Sequence, residues 1–239
     1  MSPLPAQIPG VRRAILHSPQ PIKKKTRGQV TVAAAAVIAF LVVLGAAWAS
    51  DSQSAAPKTL RSGGTIPYFI AGGSGQPGYR ASDKELARWA FEAWQRSAGK
   101  KLRFESANES GSLVRLYWAE ASEGEYGEMQ PLVVGGRQGA EVFIQPDTEL
   151  LGEDIARLAR SDPLLRDAIV YLTCLHEIGH ALGLEHTRDF RDIMYYFGYG
   201  GDVAQYFSRY RALLHSRSDI AVVSGLSDGD VSRIRAMYP

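Results

Sequence analysis

The spacing of apolar residues predicts one strand, one helix and then several strands in the first half of a domain over residues 65–239. The helix is expected from about Ser82 to Ser97, and Ser82 and Glu85 are spaced as in a capping box. Short apolar runs, several of them with alternating polar positions, predict strands at 66–70, 102–105, 113–118 and 140–144.

Longer stretches with helical spacing follow in the second half of this domain. Asp162, followed by a proline, predicts the start of a helix over about 163–182 that has a buried apolar face. Asp202 is a candidate cap for a further helix with aromatic and apolar residues on one side. A last helix is predicted over about 227–237.

The first 64 residues differ in pattern from the rest of the chain. Residues 1–29 contain six basic residues, no acidic residue and five of the 12 prolines, so we expect a disordered leader on the cytoplasmic side. Residues 30–49 are apolar apart from one threonine and are long enough to cross a bilayer as a helix. Residues 50–64 are rich in Ser, Ala and Gly and are expected to form a linker.

Two fates of the apolar run stay open. The residues Ala47-Trp48-Ala49 suit cleavage of a signal peptide near Ala49, which would release the domain as a secreted protein. The long basic leader and the length of the run favour a signal anchor that stays in the membrane. In both cases we expect the domain over 65–239 to lie outside the cytoplasm.

Charge and cysteine content limit the possible partners. The first 49 residues hold six of the 27 basic residues and none of the 25 acidic ones, so 21 basic and 25 acidic residues remain and that part is net negative. The basic balance therefore belongs to the leader, and no binding to nucleic acid is expected. The single cysteine, Cys174, cannot form an intrachain disulfide and is expected to be buried.

Three of the five histidines lie within eleven residues of one another. His176 and His180 are four positions apart, so on a helix they can bind one metal ion, with Glu177 beside them to act on a metal-bound water. Gly183 can end that helix in a left-handed turn, which lets His186 approach as a third ligand. Three nitrogen ligands leave one open position, as in a catalytic zinc site. The alternative is an ordinary helix with two surface histidines. It is disfavoured because all five residues of the pattern, two of them beyond the second histidine, occur together.

This pattern, HExxHxxGxxH, resembles the metzincin zinc peptidases, whose pattern also includes a methionine turn after the third histidine. Met194, in the sequence Asp-Ile-Met-Tyr, looks like the methionine of that turn. Thr187 and the last stretch, 226–238, are most similar to the matrixins, the matrix-metalloproteinase-like metzincins. The resemblance covers about residues 60–239, and the composition favours a bacterial member.

The resemblance implies an α+β fold of the metzincin (zincin) type. It has a twisted, mostly parallel sheet with an edge strand and helices in an upper subdomain, followed by the zinc helix, the methionine turn and a C-terminal helix in a small lower subdomain. The strand at 140–144 would be the edge that pairs with an extended substrate. Residues 198–225 look like a helical insertion that packs on the lower subdomain and could also form a wall or lid of the substrate pocket.

The resemblance also implies a monomeric zinc endopeptidase that acts on a protein or peptide substrate, with one catalytic zinc ion. Its ligands would be the three histidines, and Glu177 would pass a proton from the water to the leaving amine. Met194 would form a floor below the metal without binding it. Tyr196 stands where matrixins usually have proline and other metzincins have a tyrosine that contacts the metal or the oxyanion. It is either a catalytic residue or a wall of the pocket.

Whether the protein binds calcium, and whether it is a general peptidase, stay open at this point. Calcium could bind around Asp147 and Glu149, although a solvated loop explains these carboxylates equally well. Only His17 and His215 remain outside the motif, so a second, structural zinc site is not expected. A peptidase restricted to one substrate or to self-processing is one alternative function. A non-catalytic binding module that keeps zinc is another, and the intact glutamate of the motif argues against it.

Overall fold

The structure is a computed structural model, and it describes Leu60 and residues 64–99, 101–119 and 126–239. The predicted leader, the apolar run and nearly all of the linker lie outside these residues, so the predictions made for them stay predictions. Within the described part, no helix combines the length and the apolar character that crossing a membrane requires.

The described strands form one five-stranded mixed sheet. They are β1 (Thr65–Ile70), β2 (Arg103–Ser106), β3 (Val114–Trp118), β4 (Gly127–Val134) and β5 (Arg137–Ile144). The order across the sheet is β2–β1–β3–β5–β4. Every pairing is parallel except that of β4 with β5, which is antiparallel. The mostly parallel sheet is therefore confirmed.

The edge strand next to the helices that follow is β4, so the prediction that residues 140–144 form this edge is wrong. Those residues belong to β5, which lies between β3 and β4. Sequence patterning missed β4 because none of its residues is fully buried and its centre contains Pro131. An edge strand tolerates proline because the missing N–H can face away from the sheet.

The described part of the chain contains five α-helices. They are α1 (Asp83–Ser97), α2 (Glu153–Ser161), α3 (Pro163–Ala181), α4 (Val203–Arg211) and α5 (Asp228–Met237). The Asp162 side chain accepts hydrogen bonds from the backbone N–H groups of Leu164 and Leu165, at 3.0 and 3.1 Å, so the predicted cap of α3 is confirmed. The strand and helix arrangement confirms the α+β fold.

The predicted capping box of α1 is wrong. Ser82 already has helical backbone angles, with φ −68° and ψ −14°, and within the described part its hydroxyl makes no capping hydrogen bond. A capping side chain normally needs an extended backbone at its own residue. Glu85, the other member of the predicted box, forms an ion pair with Arg217 instead.

α1 and α3 pack together in the centre of the molecule, and this contact holds the part of α3 that carries the motif. Trp94 of α1 is fully buried, and its indole N–H donates to the carbonyl oxygen of Leu175 at 2.8 Å. Leu175 precedes the first histidine of the motif, so this hydrogen bond anchors α3 beside it. Cys174 is completely buried, as predicted, and burial raises the pKa of its thiol well above the usual value.

Candidate metal centre

The carboxyl end of α3 reverses the chain toward the motif's third histidine. Gly183 has φ +95°, a left-handed conformation that favours glycine. Its N–H donates to the His180 carbonyl at 2.8 Å, and the Leu184 N–H donates to the Gly179 carbonyl at 3.0 Å. These two bonds form a Schellman motif, which satisfies carbonyls that the helix end leaves open. The predicted left-handed turn at Gly183 is present, and it brings His186 back to the helix.

Three imidazole nitrogens converge at this point. The Nε2 atom of His180 lies 3.1 Å from the Nε2 atoms of both His176 and His186, and those two atoms are 3.3 Å apart. A zinc ion with Zn–N bonds of about 2.0–2.1 Å in tetrahedral geometry separates its nitrogen ligands by roughly 3.3 Å. The spacing of the three histidines therefore fits one zinc ion, and within the described residues no other group of side chains is arranged to hold a metal.

Backbone carbonyls set the tautomers of two of these rings. Nδ1 of His176 lies 2.6 Å from the Ile193 carbonyl oxygen, and Nδ1 of His180 lies 2.9 Å from the Leu184 carbonyl oxygen. A carbonyl oxygen can only accept, so each Nδ1 carries the proton and each Nε2 keeps a free lone pair. This is the arrangement in which the outer nitrogen of a histidine orients the inner one toward a metal. Sequence reasoning did not identify either carbonyl.

The same environment keeps these rings uncharged. Burial, with a smaller effect of the neighbouring His180, lowers the pKa of His176 to about 3. Burial also lowers the pKa of His180 to about 4. Neutral imidazole is the form that binds a metal, so at neutral pH both rings are ready to bind without first losing a proton.

The triad lies in a cleft of about 450 Å³. Besides the triad, it is lined by the start of β4, by residues 195–198 and by Tyr206 and Phe207 of α4. Glu177 lines the cleft beside the histidines and is only 6% exposed. The cleft therefore brings together the three predicted metal ligands, the predicted base and an open sheet edge.

Comparison with known families agrees with this geometry. The matrixin family model matches residues 64–205, from the residue before β1 into α4, which is more than half of the chain. This chain belongs to the matrixin family. It is accordingly a zinc metalloendopeptidase, and the catalytic zinc of the family suits the histidine triad. No curated protein is matched by the sequence.

The methionine turn of this matrixin lies directly against α3. Met194 is completely buried, and a Cβ added to Gly179, between the two helical histidines, would lie 2.5 Å from its sulfur. The Thr187 N–H donates to the Met194 carbonyl at 2.8 Å, which ties the turn to the residue after the third histidine. These contacts suit a floor below the metal, and that role of Met194 stays a prediction.

Tyr196 lies beside the third histidine. Its ring stacks on that of His186, with centroids 4.8 Å apart and planes 27° from parallel, and the residue is 47% exposed. It also lines the cleft. This placement suits both a pocket wall and a group that contacts a reacting substrate, so the catalytic role stays a prediction.

The two carboxylates considered for calcium have other partners. The Asp147 side chain accepts a hydrogen bond from the Glu149 N–H at 3.0 Å and caps a short 3-10 helix. Glu149 forms an ion pair with Arg160 of α2. These contacts are those of a solvated loop, and calcium binding stays a prediction.

Gly127, the first residue of β4, lies against the side chain of Glu177. A Cβ added to Gly127 would come within 2.7 Å of Glu177 Cγ, 2.9 Å of the Phe143 carbonyl oxygen and 3.0 Å of Thr173 Cγ2. Real Cβ atoms are not found closer than about 3 Å to such atoms, because protein interiors are close-packed. The glycine therefore permits the close approach of sheet edge and zinc helix that positions Glu177.

We expect the Gly127→Ala variant to lose roughly 10- to 100-fold in kcat/KM while keeping its zinc, since displacing a reacting group by about 1 Å can cost on the order of 10²-fold. We would measure both the turnover of a peptide substrate and the zinc content of the full-length chain. Gly72→Ala is the matched control, because a Cβ there meets no atom within 4 Å and its φ is not left-handed. Equal activity of the two variants would show that Gly127 has no positioning role.

Proposed function

We propose that this matrixin hydrolyses peptide bonds in extended substrates outside the cytoplasm. His176, His180 and His186 bind the zinc ion, and Glu177 is the general base. The convergence of three Nε2 atoms at 3.1–3.3 Å from one another, in a cleft that also contains Glu177, is the observation that supports this most strongly. The predicted basic leader and apolar run support the location.

The chemistry divides between the ion and the glutamate. When bound, zinc lowers the pKa of water toward neutrality and polarises the carbonyl of the scissile peptide. Glu177 takes the proton of the attacking water and delivers it to the nitrogen of the leaving amine. Its nearly complete burial keeps the carboxylate in one place, which proton transfer over hydrogen-bond distance requires.

The substrate pairs with the open edge of β4. The Ala140 N–H of β5 donates to Leu113 at 2.7 Å, on the side of β3, so Ala140 turns its polar backbone groups away from β4. Pro131 is the β4 residue opposite Ala140, and in an antiparallel pair it must then face outward. Alternate residues share that direction, so Gly127 and Met129 also present their backbone groups to an extended peptide.

Pro131 limits how far this pairing extends. It has no N–H, so it interrupts the row of outward donors between Met129 and Val133 and offers only its carbonyl oxygen. Backbone recognition is therefore strongest near Gly127, the residue that lies against Glu177. Short extended peptides that reach the catalytic residues should already use the two donors that precede this interruption, at Gly127 and Met129.

Aromatic rings give the cleft an apolar end. The ring of Tyr126 lies 5.3 Å from that of Phe207 and 6.1 Å from that of Phe197, measured between centroids. Leu172 of α3 lines the same region. We propose that this end of the cleft binds an apolar side chain of the substrate. Removing such a side chain from water is favourable, and the aromatic rings offer few partners to a polar one.

The test measures zinc content and turnover of casein and of quenched peptides by the full-length chain. We expect one zinc ion per chain, turnover that a chelator abolishes, and recovery when zinc is returned. A chain that binds zinc, cuts neither substrate and produces fragments of itself would instead be a self-processing peptidase. Bound zinc with no cleavage of any kind would favour a binding module, and a chain without zinc would refute the proposal.

A further inference from the structure

Two side chains of α4 hold four consecutive backbone carbonyls, those of residues 190–193, which we call the carbonyl run. The guanidinium of Arg209 donates to the carbonyl of Phe190 and, at 3.0 Å, to that of Arg191. The hydroxyl of Tyr206 lies 3.0 Å from the Asp192 carbonyl oxygen and 3.2 Å from that of Ile193, so its one proton is shared between them. The carbonyl run ends immediately before the methionine turn residue, Met194.

The last carbonyl of this run belongs to the metal centre. The Ile193 carbonyl oxygen accepts the Nδ1–H of His176 at 2.6 Å, and this bond orients the ring. On its other side, the Ile193 N–H donates to the fully buried carboxylate of Asp230 in α5, at 2.8 Å. The backbone of one residue, Ile193, therefore links a metal ligand to both α4 and α5.

Tyr206 is itself held in place. It is 3% exposed, and the guanidinium of Arg209 lies over its ring, 4.3 Å from the centroid. Burial raises the pKa of the Tyr206 hydroxyl, which favours the protonated form that donates a hydrogen bond. A buried ring with a fixed hydroxyl can transmit position, whereas a mobile surface tyrosine could not.

We propose that α4 is a positioning element of the metal centre, in which Tyr206, held by Arg209, fixes the Ile193 carbonyl that orients His176. This rests on the zinc site of the proposed function and adds a role for Tyr206 beyond lining the cleft. Without the Tyr206 hydroxyl the Ile193 peptide gains freedom, the His176 ring follows it, and the zinc ion dissociates faster. The lifetime of the zinc-bound state thus depends on α4, a helix that supplies none of the zinc ligands.

The chain offers a matched control on the same helix. Tyr210 is also a buried tyrosine, and its hydroxyl also donates to a backbone carbonyl, that of Val223 at 2.7 Å. Val223 is outside the carbonyl run. Removing the Tyr210 hydroxyl therefore deletes an equivalent hydrogen bond without changing the support of Ile193, and it separates a positioning role from general stability.

The experiment measures the rate at which zinc passes from the full-length protein to an excess of a chromophoric chelator. We expect Tyr206→Phe to release zinc roughly 3- to 10-fold faster than wild type, because it loses one hydrogen bond behind a metal ligand. Tyr210→Phe should release zinc at the wild-type rate. Arg209→Gln should lie between them, and it keeps the test decisive if Tyr206→Phe does not fold. Thermal unfolding midpoints of the zinc-free variants report the stability effect separately.

The zinc-release rates decide whether α4 positions the metal centre or contributes only to general stability. Faster release from Tyr206→Phe and Arg209→Gln than from Tyr210→Phe would support the positioning role. Equal rates in all three variants and in a zinc-loaded wild type would overturn it while leaving the proposed function intact. A wild type that binds no zinc would overturn both.

Discussion

Replacing Glu177 with glutamine is expected to remove nearly all peptidase activity while zinc remains bound. Glutamine has almost the same shape as glutamate, but its amide cannot take a proton from the attacking water. General acid–base catalysis contributes about 10²- to 10⁴-fold to rate, so we expect kcat to fall on the order of 10³-fold. KM should change little, because the variant keeps β4 and the apolar end of the cleft, where we propose that the substrate binds.

Glu185 is the matched control for this variant. It lies in the same motif, next to the third histidine, and is exposed to solvent. Glu185→Gln should retain wild-type turnover of quenched peptides, and the zinc content of both variants should equal that of wild type. If Glu177→Gln kept more than about a tenth of the wild-type kcat, well above the range for loss of a general base, another group would have to move the proton.

Replacing Arg166 with methionine is expected to cause the largest loss of folding stability. Arg166 and Asp83 form an ion pair whose side chains are 3% and 0% exposed. The same guanidinium donates to the carbonyls of Gly78, at 2.7 Å, and Pro146, at 3.1 Å. It therefore joins α3 to the start of α1 and to the loops that precede α1 and follow β5.

The expected cost is about 3–5 kcal/mol in the free energy of unfolding, because methionine leaves the Asp83 carboxylate buried without its partner. Urea unfolding of the full-length chain, with and without zinc, measures it. Arg157→Met is the control, since Arg157 and Asp154 form an ion pair whose side chains are 63% and 85% exposed, and such pairs contribute little. A similar urea midpoint for both variants would contradict the expected contribution of the buried ion pair to stability.

The parts of the metal centre that could be predicted from the sequence are those encoded locally. Helical spacing places His176 and His180 on one face, the Asp162 cap starts the helix, and Gly183 ends it in a left-handed turn. Each of these depends on residues a few positions apart, which a single sequence displays directly. The predicted limits of α3, about 163–182, accordingly differ by one residue from those observed.

The parts that could not be predicted depend on contacts between distant residues. Gly127 and Glu177 are 50 positions apart, and nothing in the sequence around either residue indicates that they touch. The Ile193 carbonyl is a backbone group, so no residue type marks it as the partner of His176. β4 was missed because a strand with a partly exposed face and a central proline lacks the alternation that signals burial.

The edge of the sheet in a peptidase faces two opposing demands, which the position of Pro131 helps to reconcile. The edge must accept a strand from a substrate, but two copies of the same protein must not join their edges into a growing sheet. If two β4 strands paired, each would lack a donor at its centre, so the joined edges would hold together poorly. A short substrate needs only the donors near Gly127 and does not meet this gap. If substrates pair with β4 as proposed, one proline lets this edge stay open to them while it discourages aggregation.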